Sequence, residues 1–357
     1  YRAEDLYLDF HRDRFALTGL LHLDGLRLDD FYHVFGFEED ERFAPYAGLA
    51  RGQASLRYTN GFPDDSPSGT LDVDMNLGFE WADLNDYRFE DGRLVGRFRW
   101  LDWDRGARGA ELSIAHLSLR KGGGTVTLDG RMSLGGRLRM HAAADGVALG
   151  AIEGVGTRFS DLEGVATAVG RIGGTFDVMR ADFDVGVTNV TYRGRPLGDG
   201  RFYVRLADRE DPYVAAARGW SREEAAGQDC PQARRGLAFS DWPPDPPVRT
   251  VDGPQEALVR PMAFLVCGRA FDDRLFVDLA VGRTEPLPLR GTVRLDALDL
   301  APLLPRLASA GRVEGRVSGV LAFDGGALRR PETLEGRVRL GEVRVAAGEV
   351  AIENRGP

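Results

Sequence analysis

The segment Gly69-Thr-Leu-Asp-Val-Asp-Met-Asn-Leu-Gly-Phe-Glu-Trp81 constrains the fold more than any other stretch of this chain. Leu71, Val73, Met75, Leu77, Phe79 and Trp81 fall on one face of a strand. Thr70, Asp72, Asp74, Asn76 and Glu80 fall on the other. Period-two alternation held for about twice the usual strand length predicts a long strand with one apolar and one acidic face. The pattern recurs from end to end, and no helix-period segment competes with it. The predicted fold is all-β: an elongated, mostly antiparallel, curled sheet forming an open β-groove, with a few short helices.

The chain has 357 residues, of which 28% are charged and 43% hydrophobic. That balance excludes a disordered or a membrane-spanning class. Net charge is −9, with no basic face for phosphates, so nucleic acid is not an expected partner. Lys121 is the only lysine among 46 basic residues, a bias that genomic base composition explains. The chain opens on Tyr1, is strand-like by Leu6, and closes on strand-like Ala351-Ile-Glu-Asn354. An internal fragment of a longer protein is the expectation, so the lack of a targeting segment says little about its parent.

Three segments share one order of events. Each opens with an alternating strand around a central glycine: Gly19, Gly130 and Gly291. A leucine and a short helical stretch follow at Leu28–Phe35, Leu149–Ile152 and Leu300–Leu307. A small-x-x-x-small pair comes next (Gly48/Gly52, Gly164/Ala168, Gly315/Gly319), and then a fresh long strand. The glycine pairs read as strand kinks, because their flanks (Arg51, Gln53, Arg312, Glu314) are too polar for lipid. Imperfect repeats at this long period predict a stacked body, not a single closed globule. Turn signals at Asp91-Gly92, Lys121–Gly124, Leu134–Gly136 and Gly198-Asp-Gly200 predict antiparallel neighbours.

Residues 207–262 break the pattern. Trp242-Pro-Pro-Asp-Pro-Pro-Val248 is incompatible with an interior strand. The division expected is groove repeats over 1–206, a Pro-rich inserted loop over 207–262, and a further groove repeat over 263–357. Cys230 and Cys267 flank the Pro-rich stretch and have no metal-ligand spacing. A disulfide between them, favoured over two free buried thiols, implies an oxidising compartment.

Catalytic signatures are missing. The histidines at 11, 22, 33, 116 and 141 form no close-spaced cluster, and no Walker A, G-x-S-x-G or H-E-x-x-H motif is present. Paired carboxylates such as Asp72/Asp74 and Asp182/Asp184 share a strand face and read as solvent-facing protection of a long sheet. Calcium would need a loop of several carboxylates, and Gly198-Asp-Gly200 supplies one. The expected function is therefore non-enzymatic, without cofactor or metal.

The apolar face is the candidate site. Its residues are Leu71, Val73, Met75, Leu77 and Phe79, then Val126, Leu128, Met132 and Leu134, then Phe183, Val185 and Val187. Leu275, Val277 and Leu279, and finally Val338 and Leu340, complete it. In a sandwich two such faces cover each other. In a sheet that curls without closing they line a trough. Roughly 20 strands at ~4.8 Å would give one on the order of 100 Å long. Each side chain left in water forfeits about 1.5–3 kcal/mol. Lipid acyl chains, which need no hydrogen bonds, are the natural occupant.

The order Gly130…Leu149-x-x-Ile152…Leu162-x-Gly164…Gly173-Gly-Thr175…Asp182-Phe-Asp-Val185…Tyr192-x-Gly194…Leu197-Gly-Asp-Gly200 resembles the repeats of the TamB part of the translocation and assembly module. It is also similar to the wider AsmA-like superfamily. Gly311-Arg-Val-Glu-Gly-Arg-Val-Ser-Gly319, running on to Asn354-Arg-Gly356, looks the same way. The resemblance implies a periplasmic protein of a diderm bacterium, anchored in the inner membrane by a helix outside this sequence. It implies a β-groove that carries phospholipid toward the outer membrane or supports outer-membrane protein assembly with a barrel partner. The cysteine-bracketed insertion departs from the usual repeat. Two other readings stand beside it. A structural or adhesive surface repeat protein, like an autotransporter passenger, predicts short strands and a dry, closed core. A carbohydrate-active enzyme needs an aromatic cleft, for which Trp81, Trp100 and Trp103 come nearest.

Overall fold

The computed structural model describes residues 2–11, 14–28, 30, 33, 46–61, 69–84, 87–101, 109–133, 137–157, 159–175, 179–208, 262–282, 289–299, 313–327, 330–347 and 350–355. The fold is all-β. Among the described residues, eighteen strands belong to one hydrogen-bonded antiparallel sheet that does not close on itself. The chain divides into two compact units, the first over residues 1–153 and 171–176, the second over 154–170 and 177–357.

The first unit is a meander of β1 (Arg2–His11), β2 (Arg14–Arg27), β3 (Tyr46–Asn60), β4 (Thr70–Leu84), β5 (Tyr87–Phe89), β6 (Gly92–Leu101), β7 (Ala110–Lys121), β8 (Gly124–Ser133) and β9 (Arg137–Ala148). Each strand pairs with the next, except that the short β5 and the long β6 both pair with β4. A 3-10 turn, Leu149–Ala151, follows β9, and a single helical turn, Glu153–Gly156, comes after it. Strand β10 (Leu162–Thr175) gives its first part to the second unit and its last residues to the first.

The second unit continues as β11 (Met179–Tyr192), β12 (Arg195–Asp208), β13 (Met262–Ala270), β14 (Leu275–Gly282), β15 (Leu289–Asp299), β16 (Val313–Ala327), β17 (Arg330–Ala347) and β18 (Val350–Arg355). From β11 onward each strand pairs antiparallel with its successor. Asp208 pairs with Met262, so residues 209–261 join two neighbouring strands. That segment holds most of the Pro-rich insertion and lies outside the described residues, as do most of the helical stretches expected at 28–35 and 300–307.

Two hairpins carry their turn chemistry openly. Gly122 and Gly123, both at positive φ, join Lys121 to Gly124. Arg193 and Gly194, also both positive, join Tyr192 to Arg195. Two-residue loops with positive φ at both centres match the right-handed twist of the strands they connect. The turn expected at Gly198-Asp-Gly200 is corrected. Those residues sit inside β12, where the register with β11 slips. Asp199 spans the bulge, its Oδ1 accepting from Asn189 N–H at 2.9 Å.

Of the kinks expected at the small-residue pairs, those at Gly52 and Gly164 are present and those at Gly48 and Gly319 are not; Gly130 and Gly291, where none was expected, share the same conformation. Gly52, Gly130, Gly164 and Gly291 have φ between +134° and +147°, a region essentially reserved for glycine. Gly52 is the second member of its small-residue pair and Gly164 the first member of its own, whereas Gly130 and Gly291 stand at matching points of the opening strands. Gly19, their counterpart in β2, keeps an ordinary strand conformation.

The carboxylates of the polar face are more than solvent-facing. Each pair meets arginines on the next strand. Arg97 and Arg99 on β6 grip Asp74 and Asp72 on β4, and Arg201 and Arg205 on β12 grip Asp184 and Asp182 on β11. Fork-to-carboxylate geometry fixes strand alignment as well as adding attraction.

Candidate functional site: the apolar face

Register shows which residues share a face, because directly paired residues of antiparallel strands point the same way. In the second unit three rows run across seven strands, β11 to β17. One is Phe183, Val204, Val266, Leu279, Gly291, Phe323, Gly336. The next is Val185, Phe202, Gly268, Val277, Val293, Leu321, Val338. The third is Val187, Gly200, Ala270, Leu275, Leu295, Gly319, Leu340. No position in the three rows carries a polar side chain. The eight residues that sequence reasoning placed here therefore do stand together.

Most of these side chains are half-buried, and at β17 the stripe is open, with Val338 64% and Leu340 44% exposed. The residues that sequence reasoning missed are Phe202, Val204, Val266, Ala270, Val293, Leu295, Leu321 and Phe323. Their alternation was visible, but register was needed to align it with the rest.

In the first unit the rows are equally apolar. Leu56, Val73, Phe98, Leu112 and Met132 form one; Ala54, Met75, Gly96, Ile114 and Gly130 form the next. Gly52, Leu77, Leu94, Leu117 and Leu128 form a third, and Ala50, Phe79, Gly92, Leu119 and Val126 a fourth. Leu71, Val73, Met75, Leu77, Phe79, Val126, Leu128 and Met132 are thus gathered on one face. Leu134 lies outside the described residues.

The expectation that this face lies open is corrected for part of the first unit. Leu71 is 3% and Leu77 4% exposed, and both sit in tightly packed clusters. One cluster gathers Leu71, Val73, Phe98 and Trp100, the other Leu77, Phe79, Phe89 and Leu119, and half-buried Met75 touches both. Large side chains meeting over glycine and alanine positions close this floor on itself. Trp100 is a member of that floor, with Phe98 set edge-on to it at 6.2 Å.

The lower end of the first unit's face carries the one lysine of the chain, next but one to Leu119 on β7. Lys121 is buried, and its Nζ donates to the Arg88 carbonyl oxygen at 2.6 Å and to the Glu153 carboxylate. The Phe89 ring lies 5.6 Å away. Burial pushes the Glu153 carboxyl up, but the hydrogen bond and charge of Lys121, together with the backbone N–H groups of Glu153 and Arg88, outweigh it and hold the group below its usual range. No sequence pattern marks this link, since a lone lysine has no period.

Cys267 is disulfide-bonded and 1% exposed, and it lies on the polar face of the second unit against Phe276 and Tyr203. Cys230, its expected partner, lies outside the described residues. Asp278 pairs with Cys267 across β13 and β14, and burial pushes its carboxyl up. Among the described residues no group of three or more His, Cys, Asp or Glu could hold a metal ion, and no helix is long and apolar enough to cross a membrane.

No known protein family, curated protein or solved structure matches this chain.

Proposed function

We propose that this chain is a segment of a lipid carrier, with phospholipid acyl chains lying along its apolar face. One observation carries the reading: twenty-one aligned positions across β11 to β17 are apolar or glycine, and most of their side chains stay partly open to solvent. Such a face loses free energy in water at about 25 cal/mol per Å². An acyl chain recovers it without needing a hydrogen bond, and can slide because nothing fixes its position. Glycines at five of these positions leave room for it. The headgroup stays outside, since no charged side chain enters the rows. On this reading the protein guides lipid passively and no residue is catalytic.

The resemblance to TamB and AsmA-like repeats supports a bacterial periplasmic setting, an inner-membrane anchor on the parent polypeptide, and traffic toward the outer membrane. An outer-membrane barrel protein is the partner this setting suggests. The experiment is native mass spectrometry of the chain purified without added lipid, followed by lipid extraction. Co-purifying phospholipid is expected, and Val277→Glu or Val293→Glu should remove most of it while the protein stays folded. A lipid-free protein that also takes up none from vesicles would end the proposal.

A further inference from the structure

The polar face of the second unit carries a dry patch. Arg201 keeps 66% of its side chain exposed although it pairs with Asp184. Arg205, in the equivalent pair with Asp182 two rows away, keeps 17%. Leu265, directly opposite Arg205 on β13, is 4% exposed, and Phe276 on β14 is buried as well. These side chains point away from the apolar rows, onto a face that an antiparallel sheet ordinarily leaves to water. Among the described residues, Ala280 is the one partly buried hydrophobic side chain packed against Leu265, and Tyr203 the one against Cys267 and Phe276. Both are lateral neighbours within the sheet and cannot stand over it. Asp278, between Cys267 and Thr292 on the same face, has its carboxyl pushed up by burial, where a bare face would keep it solvated. A second layer over β12–β14 is required.

The chain itself supplies the occupant. It holds two cysteines and neither is free. Cys267, which faces this patch from within β13, is disulfide-bonded, so its partner is Cys230. Cys230 belongs to residues 209–261, which leave the sheet at Asp208 and re-enter it at the directly paired Met262, beside the patch. The same segment has Leu237, Phe239 and Trp242 shortly after Cys230, apolar side chains of the kind that Leu265 and Phe276 would pack against.

We propose that the polar side of β12–β14, over Leu265, Cys267 and Phe276, is the docking surface for residues 209–261 of the same chain, held by packing as well as by the disulfide. This part of the face is then committed to the chain's own insertion and is closed to an external partner. The inference rests on the polar face alone and stands whether or not the apolar face carries lipid.

The test places the photo-crosslinking residue p-benzoylphenylalanine at position 276 of the full chain, where an aromatic ring already stands. Irradiation followed by mass mapping is expected to show links into residues 209–261. The same probe in place of Phe323, on the apolar face, should give none. Cys230→Ser removes the tether and leaves the packing, so the link from position 276 should persist at lower yield. Its complete loss in Cys230→Ser would make the disulfide the whole attachment and overturn the docking surface. Links only to neighbouring strands, links to a second copy, no link at all, or equal linking from 276 and 323 would each overturn it too.

Discussion

A methyl group on Gly130 would lie 2.2 Å from the carbonyl oxygen of Arg139 on the neighbouring strand. The same clash recurs at Gly291, 2.1 Å from the Asp278 oxygen. Both residues also sit at a φ that side chains avoid. Gly130→Ala and Gly291→Ala are each expected to cost at least about 2 kcal/mol, read as a lowered midpoint in urea. Gly325 has no atom within 4 Å of its added methyl and no positive φ. Gly325→Ala should be neutral or gain up to about 1 kcal/mol.

Removing the Lys121 ammonium leaves the part-buried Glu153 carboxylate without its main cation. Lys121→Met keeps an apolar stem and removes the ion pair with Glu153 together with the hydrogen bond to the Arg88 carbonyl. A destabilisation of about 2–3 kcal/mol is expected. Adding Glu153→Gln should recover part of it, and a thermal melt of the three variants checks this.

Asp278 titrates in the opposite sense to a salt-bridged carboxylate. Its folded pKa lies above the unfolded value, so the folded state holds its proton more firmly. Its contribution to stability is fully present below the unfolded pKa of about 4 and is lost as pH rises through the folded pKa. Asp278→Asn should therefore raise the melting temperature at pH 7, with the gain shrinking as pH falls toward 4. A gain that is constant with pH would assign it to another cause.

Charge placed on the apolar face should act differently in the two units. Leu77 is enclosed by its cluster, so Leu77→Glu buries a carboxylate and is expected to cost about 3 kcal/mol or more. Val277 is half-buried, and Val277→Glu should leave the melt within about 1 kcal/mol of wild type. Denaturation curves of the pair test whether the first unit's floor is closed and the second's open.

Alkylation of the unreduced, denatured protein should label no cysteine, and reduction should release two. The chain-entropy model gives about 4 kcal/mol for closing the loop between Cys230 and Cys267, so reduction should lower the midpoint by a matching amount.

Alternation at Leu71–Phe79 or Phe183–Val187 sufficed to predict the class of fold and the side of each strand. The kinks at Gly52 and Gly164 were legible as glycines inside strand patterns, but the same signal pointed to Gly48 and Gly319, which keep ordinary φ, and those at Gly130 and Gly291 were not expected. What stands above a face is another matter. Period two says that Leu77 and Val277 both point to the apolar side, not that Phe79, Phe89 and Leu119 enclose the first and leave the second open. Asp199-Gly200 misled because the pair has turn chemistry. The hairpin instead closes at Arg193-Gly194, and Asp199 serves a bulge. Arginine partners for Asp72 and Asp182 depended on register, which no single strand contains.

In each unit nearly every hydrogen-bonded neighbour is also the next strand in the chain. Except across residues 209–261, a newly made strand thus finds its template close before it in the chain. Such a sheet can zip up in the order it leaves the ribosome or a translocon, without waiting for its C-terminal end.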